Sequence, residues 1–167
     1  MMKKKHIRLQ GQFLFVALMF FFLVAGPAQA NVKMPSFSLQ SAVDNSLVES
    51  KAFTGNVLLV TFFATWCPPC IQEVDSLIKL QKNFVEKGFS VVALSVDQVG
   101  VSKVKDFVSS KGINYPVLMA DQQVMRDFGG IYGIPVGFLV NRLGNVVKRY
   151  TGYVPEEQLE KDIIPLL

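Results

Sequence analysis

Seven consecutive uncharged residues, Val57 to Phe63 (VLLVTFF), limit what this chain can fold into more than any other stretch. A strand with no polar face is buried on both sides, so the sheet that holds it must be covered above and below. A second such run, Phe89 to Val96 (FSVVALSV), follows. Between the two lies a segment whose apolar positions Val74, Leu77, Ile78, Phe84 and Val85 keep the spacing of a helix face. The pattern predicts a helix starting at Pro69 or Cys70, running to Glu86 and stopped by Gly88.

Further along, Ser102 to Ser110 reads as a helix ended by Gly112, Val117 to Met119 as a short strand, and Gln122 to Phe128 as a short helix. Val136 to Val140 and Asn145 to Tyr150 flank the turn Asn141-Arg142-Leu143-Gly144, a hairpin signal. Pro155 to Leu167 reads as a closing helix, with the proline in its first turn. Upstream, Phe37 to Gln40 and Leu47 to Glu49 read as short strands around Asp44-Asn45. Strands alternating with helices predict an α/β fold: a mixed central sheet, helices on both faces, and a C-terminal antiparallel hairpin plus helix.

The first thirty residues follow another logic. Lys3, Lys4, Lys5 and Arg8 precede the uncharged run Phe13 to Ala25, which ends at Gly26-Pro27 and the small-x-small site Ala28-Gln29-Ala30. That order describes a secretory signal peptide, with 31–167 as the single domain left after cleavage. An uncleaved anchor is the alternative, but the 13 apolar residues fall short of the roughly 20 a bilayer core asks for. Either reading puts the domain outside the cytoplasm, periplasmic or extracytoplasmic, because the lysines stay inside. The net charge of +4 belongs to this segment: without its four cations, 13 Lys plus Arg face 13 Asp plus Glu. No basic surface for nucleic acid is implied. The sole histidine, His6, lies there too, so the domain has no Cys–His or Ser–His nucleophile.

Both cysteines sit in Ala64-Thr65-Trp66-Cys67-Pro68-Pro69-Cys70, where the first buried strand meets its helix. A structural disulfide would close a very small loop, with little to gain in chain entropy. Zinc would need more soft ligands than the chain offers, so no metal is expected. A redox pair fits best. Cys67 just before the helix faces unpaired N–H groups and the positive dipole end, which favour a thiolate. Cys67 is therefore expected to be the exposed nucleophile and Cys70 the buried resolving thiol. Pro68 and Pro69 have no N–H to offer the sulfur, which pushes toward a more reducing couple.

The segment Gly55 to Glu73 (GNVLLVTFFATWCPPCIQE) resembles the TlpA/ResA branch of the thioredoxin superfamily. The resemblance continues through Ser90 to Asp97, Tyr115-Pro116-Val117-Leu118, Tyr132-Gly133-Ile134-Pro135 and FLVNRLGNVV. It implies a thioredoxin-like fold and a thiol–disulfide oxidoreductase without a cofactor. Pro135 falls where that family has a cis proline facing the CxxC pair, and Ile134 where a backbone pairs with the substrate peptide. Glu73 matches an acid that tunes the thiols; as a residue in a helix first turn it would otherwise be a solvated carboxylate. Trp66 matches a tryptophan beside the pair, with core packing as its plainer role. Two positions depart from relatives. Thr61 stands where thioredoxin has a buried Asp, leaving Glu73 or water to deprotonate the resolving thiol. Val74-Asp75-Ser76 lacks the proline that often kinks this helix.

The family context further implies reduction of client protein disulfides, such as those of apocytochrome c, with electrons from a membrane thiol-transfer protein. Two other functions remain to be weighed. A thiol peroxidase would need a threonine three residues before its nucleophile, where this chain has Ala64. A non-catalytic binding module would not need Cys67, Cys70, Trp66 and Pro135 together.

Overall fold

A computed structural model of the protein describes residues 32–98 and 100–167; the expected signal segment lies outside them. A five-stranded sheet forms the centre, in the order β5–β4–β3–β6–β7. Its strands are β3 (Val57–Phe63), β4 (Phe89–Ser95), β5 (Val117–Met119), β6 (Val136–Val140) and β7 (Val146–Thr151). β3 runs parallel to β4, and β4 to β5, whereas β6 is antiparallel to β3, and β7 to β6. A separate hairpin of β1 (Ser38–Gln40) and β2 (Leu47–Glu49) is tied to the edge strand β5 by the Ala42 N–H to Val117 C=O bond, 2.9 Å.

β3 is central, and all seven of its residues are buried. Alternation divides them between two cores. Leu59 and Phe63 join Leu77, Leu80 and Phe84 of α1 (Pro68–Phe84), Val104 and Val108 of α2 (Val101–Lys111), and Leu159 and Ile163 of α4 (Glu156–Ile163). Leu58, Val60 and Phe62 join Phe138, Val124 of α3 (Gln122–Asp127) and the β1 side chain Leu39. The sheet is thus covered on both faces, as the apolar runs required. Among the described residues no helix is long and apolar enough to cross a membrane.

Helix ends shift where backbone chemistry demands it. α1 begins at Pro68, because Cys67 is the extended residue that precedes the first turn. It gives way after Phe84 to a 3-10 turn, Val85–Lys87, which Gly88 closes at φ 74°. The last α-helix ends at Ile163 rather than at the chain end, with a 3-10 turn over Ile164–Leu166. Pro165 explains this: it has no N–H, and its ring opposes the carbonyl one turn back. α1 itself is continuous through Val74-Asp75-Ser76, where no proline interrupts it.

Candidate active site

The strand-to-helix junction after β3 holds the chemistry. Cys67 sits at the N-terminus of α1 with extended backbone (φ −93°, ψ 107°), and the two prolines occupy the first turn. Their fixed φ suits a helix start, and their missing N–H groups would have had no partner there. One turn on, Cys70 is bonded to Cys67 as a disulfide, with 5.3 Å between their Cα atoms.

Exposure does not separate the two sulfurs as the sequence suggested. Cys67 is 4% exposed and Cys70 3%. The reason lies opposite. The segment between α3 and β6 brings the Ile134 carbonyl oxygen within 3.8 Å of Cys67 Sγ, and the Ile134–Pro135 peptide is cis. Pro135 is held in turn by its carbonyl, which accepts the Gly152 N–H at 2.9 Å. Trp66 is 59% exposed, so it is not a core residue. Cys67, Cys70, Ile134 and Pro135 are therefore brought together, with Trp66 on the surface beside Cys67.

Glu73 is placed one turn behind Cys70 on α1 and is buried, 6% exposed. Its Oε1 accepts the Val154 N–H at 2.7 Å. Burial pushes its carboxyl up to about 7, against the opposing effect of that hydrogen bond. The solvated-carboxylate alternative does not describe this residue. A neutral-to-anionic change near pH 7, one turn from a thiol pair, suits proton exchange with that pair.

Asp97 is the residue that sequence reasoning passed over. It is buried just past β4, and its carboxylate accepts the Thr65 N–H at 2.9 Å, the Thr65 hydroxyl at 2.6 Å and the Ser95 hydroxyl at 2.8 Å. Those bonds fix the turn that leads into Trp66 and Cys67. An acid ending an apolar strand, together with a threonine two residues before the cysteine, was the available signal. Among the described residues no cluster of His, Cys, Asp or Glu could hold a metal ion.

Known proteins are similar to this chain in sequence and in fold. The Redoxin family model matches residues 29–163. The thiol-disulfide oxidoreductase ResA of Bacillus anthracis is 30% identical over 84% of this chain and 80% of its own. ResA of Bacillus subtilis is 30% identical over 75% of this chain and 69% of its own. A crystal structure of a thioredoxin-family thiol:disulfide interchange protein from Chlorobium tepidum has a TM-score of 0.75 and 33% identity, covering 81% of this chain and 96% of that one. On sequence and on fold alike, the chain belongs to the Redoxin family and is a TlpA/ResA-like thiol–disulfide oxidoreductase of the thioredoxin superfamily.

Proposed function

We propose that the protein is exported and reduces disulfides of client proteins through Cys67 and Cys70. The observation that carries this is the bonded pair at the α1 N-terminus, with the Ile134 carbonyl against one sulfur and Glu73 one turn behind the other. In the reduced protein the Cys67 thiolate attacks one sulfur of the client disulfide. A mixed disulfide forms, and the client's other sulfur leaves as a thiolate. Cys70 then gives up its proton, to Glu73, and attacks Cys67 Sγ. The client leaves as a dithiol with two electrons gained, and the Cys67–Cys70 disulfide is restored. Cys67 is the attacking group because it lies at the helix terminus, where backbone N–H groups and the dipole favour a thiolate.

The Ile134 backbone and Pro135 form the rest on which an extended client segment lies, and Trp66 borders it. The reducing direction follows from the two prolines, from a domain without histidine and from the charge of Glu73, all of which leave the thiolate less stabilised. An oxidising compartment then requires an electron supply, for which a membrane thiol-transfer protein is suited. Apocytochrome c, with paired cysteines to be kept reduced, is the client that the family context favours. A peroxidase has no threonine at the buried Ala64 to cradle its substrate.

Trapping tests the assignment. Cys70→Ser should accumulate mixed disulfides with clients, and Cys67→Ser should accumulate none. Faster alkylation of Cys70 than of Cys67 in the reduced protein would reverse the roles.

A further inference from the structure

Among the described residues, the aromatic side chains that stand exposed are Trp66, Tyr132 and Tyr153. Each lies on one of three segments that meet at the disulfide. Trp66 directly precedes Cys67. Tyr132 comes two residues before Ile134, whose carbonyl oxygen is 3.8 Å from Cys67 Sγ. Tyr153 follows Gly152, whose N–H donates to the Pro135 carbonyl at 2.9 Å. The other two tyrosines, Tyr115 and Tyr150, are buried. The stretches 64–70, 128–137 and 151–155, which carry the exposed three, contain no Lys, Arg, Asp or Glu.

Tyr132 is the most exposed of them, at 97%. A lone exposed apolar side chain is ordinary on a surface, but this one has a seat made for it. Gly129 and Gly130 close α3 with left-handed φ of 85° and 81°. Their N–H groups donate to the Arg126 and Met125 carbonyls at 2.9 and 3.1 Å. The Tyr132 ring lies over Gly130. A Cβ at that glycine would stand 2.7 Å from the ring Cε2 and 2.9 Å from both Cζ and the hydroxyl oxygen. Any side chain there would push the ring away. The ring thus rests on bare backbone pinned to a helix end, with the remainder of its surface open to solvent.

Its place gives the ring a use. At about 3.8 Å between consecutive Cα atoms, Tyr132 lies within about 7.6 Å of Ile134. A client segment bonded to Cys67 and laid along the Ile134 backbone passes within reach of it. A tyrosine ring offers a large apolar area with few torsions to freeze, so such residues carry much of the binding energy at interfaces. A charged client residue arriving there would lose water and find no opposite charge on the three segments.

We propose that Tyr132 is a specificity-determining residue, which packs against an apolar side chain next to the client cysteine on the Ile134 side of the disulfide. The path of the client rests on the functional reading above; the seat of the ring on Gly130 does not.

The test compares disulfide peptides that differ only in the residue preceding both cysteines, Phe, Asp or Lys. Each is followed as reduction of the disulfide and as oxidation of the dithiol. The protein should favour Phe over Asp and Lys by about tenfold in kcat/KM. Tyr132→Ala should erase that preference, chiefly through KM, and leave the rate with hydroxyethyl disulfide within about twofold. Tyr132→Phe keeps the ring and should keep the preference. Gly130→Ala displaces the ring and should weaken it; if that variant does not fold, the two changes at the exposed Tyr132 decide alone. A preference for Phe that survives Tyr132→Ala overturns the proposal. So does a preference for Lys, which would assign the ring to a cation. Equal slowing of peptides and hydroxyethyl disulfide overturns it as well, since the tyrosine would then act on the sulfurs. A protein that oxidises the dithiols with the Phe preference but reduces no disulfide would sink the reducing assignment and uphold the role of Tyr132.

Discussion

Asp97 holds Thr65 at two points, by its backbone N–H at 2.9 Å and by its hydroxyl at 2.6 Å. The acid lies past the end of β4 and the threonine past the end of β3, so the bonds cross between two parallel neighbours. They tie the turn that presents Cys67 to the rigid centre of the sheet. Asp97→Ala leaves the part-buried Thr65 N–H and hydroxyl and the buried Ser95 hydroxyl without their acceptor, and the buried group alone costs about 1–3 kcal/mol. Urea unfolding should show a loss at or above that range. Client reduction should slow as well, because Cys67 loses its support; an unchanged rate would show that the turn holds itself.

Trp66 supports the opposite expectation. At 59% exposure it contributes little to the core, so Trp66→Ala should change stability by no more than about 0.5 kcal/mol. Reduction of a protein disulfide should slow markedly, whereas reduction of a small disulfide should not. Equal slowing of both would assign the tryptophan to the chemistry of the sulfurs rather than to the client.

Glu73 makes stability depend on pH in an unusual direction for an acid. Its carboxyl is raised from 4.5 to about 7 by burial, so between those values the folded protein holds a proton that the unfolded chain has released. Stability is full below the unfolded value and declines as pH rises toward the folded one. The whole effect is on the order of 3 kcal/mol. Glu73→Gln keeps an acceptor for the Val154 N–H and removes the charge. Its urea midpoint should exceed that of the parent at pH 8 and approach it at pH 4. A constant difference across that range would contradict a buried, titrating carboxyl.

The reduction potential reports on direction. Strong oxidants of this chemistry lie at about −120 mV and thioredoxin near −270 mV. Equilibration with glutathione at pH 7 should place this couple roughly below −200 mV. A value near the oxidant end, with rapid oxidation of a reduced unfolded protein, would turn the proposed reductant into an oxidase.

The sheet was legible because its strands are apolar without interruption. Val57–Phe63, Val117–Met119 and Val136–Val140 stand where their sequences put them. Helix ends were legible where glycine marks them, as at Gly112, and misread at Pro165, where periodicity alone carried the helix too far. The cysteine pair announced itself by spacing, position and the absence of competing ligands. What could not be read was burial. Glu73 has the local sequence of a surface residue and becomes an interior one through residues distant in sequence, among them Val154 before α4 and Tyr150 on β7. Asp97 and Thr65 are 32 residues apart, and only the parallel register of β3 and β4 makes them neighbours. The shielding of Cys67 depends on a loop 67 residues downstream, which no local pattern around the cysteine foretells.

That shielding has a kinetic meaning. Exchange requires the attacking sulfur to line up with the bond it breaks, and both sulfurs of this bond lie within the surface formed by α1 and the Ile134 loop. An electron donor is therefore expected to need a docking face that fits around Ile134, and the rate at which this bond is reduced should depend on that fit as well as on the donor's driving force.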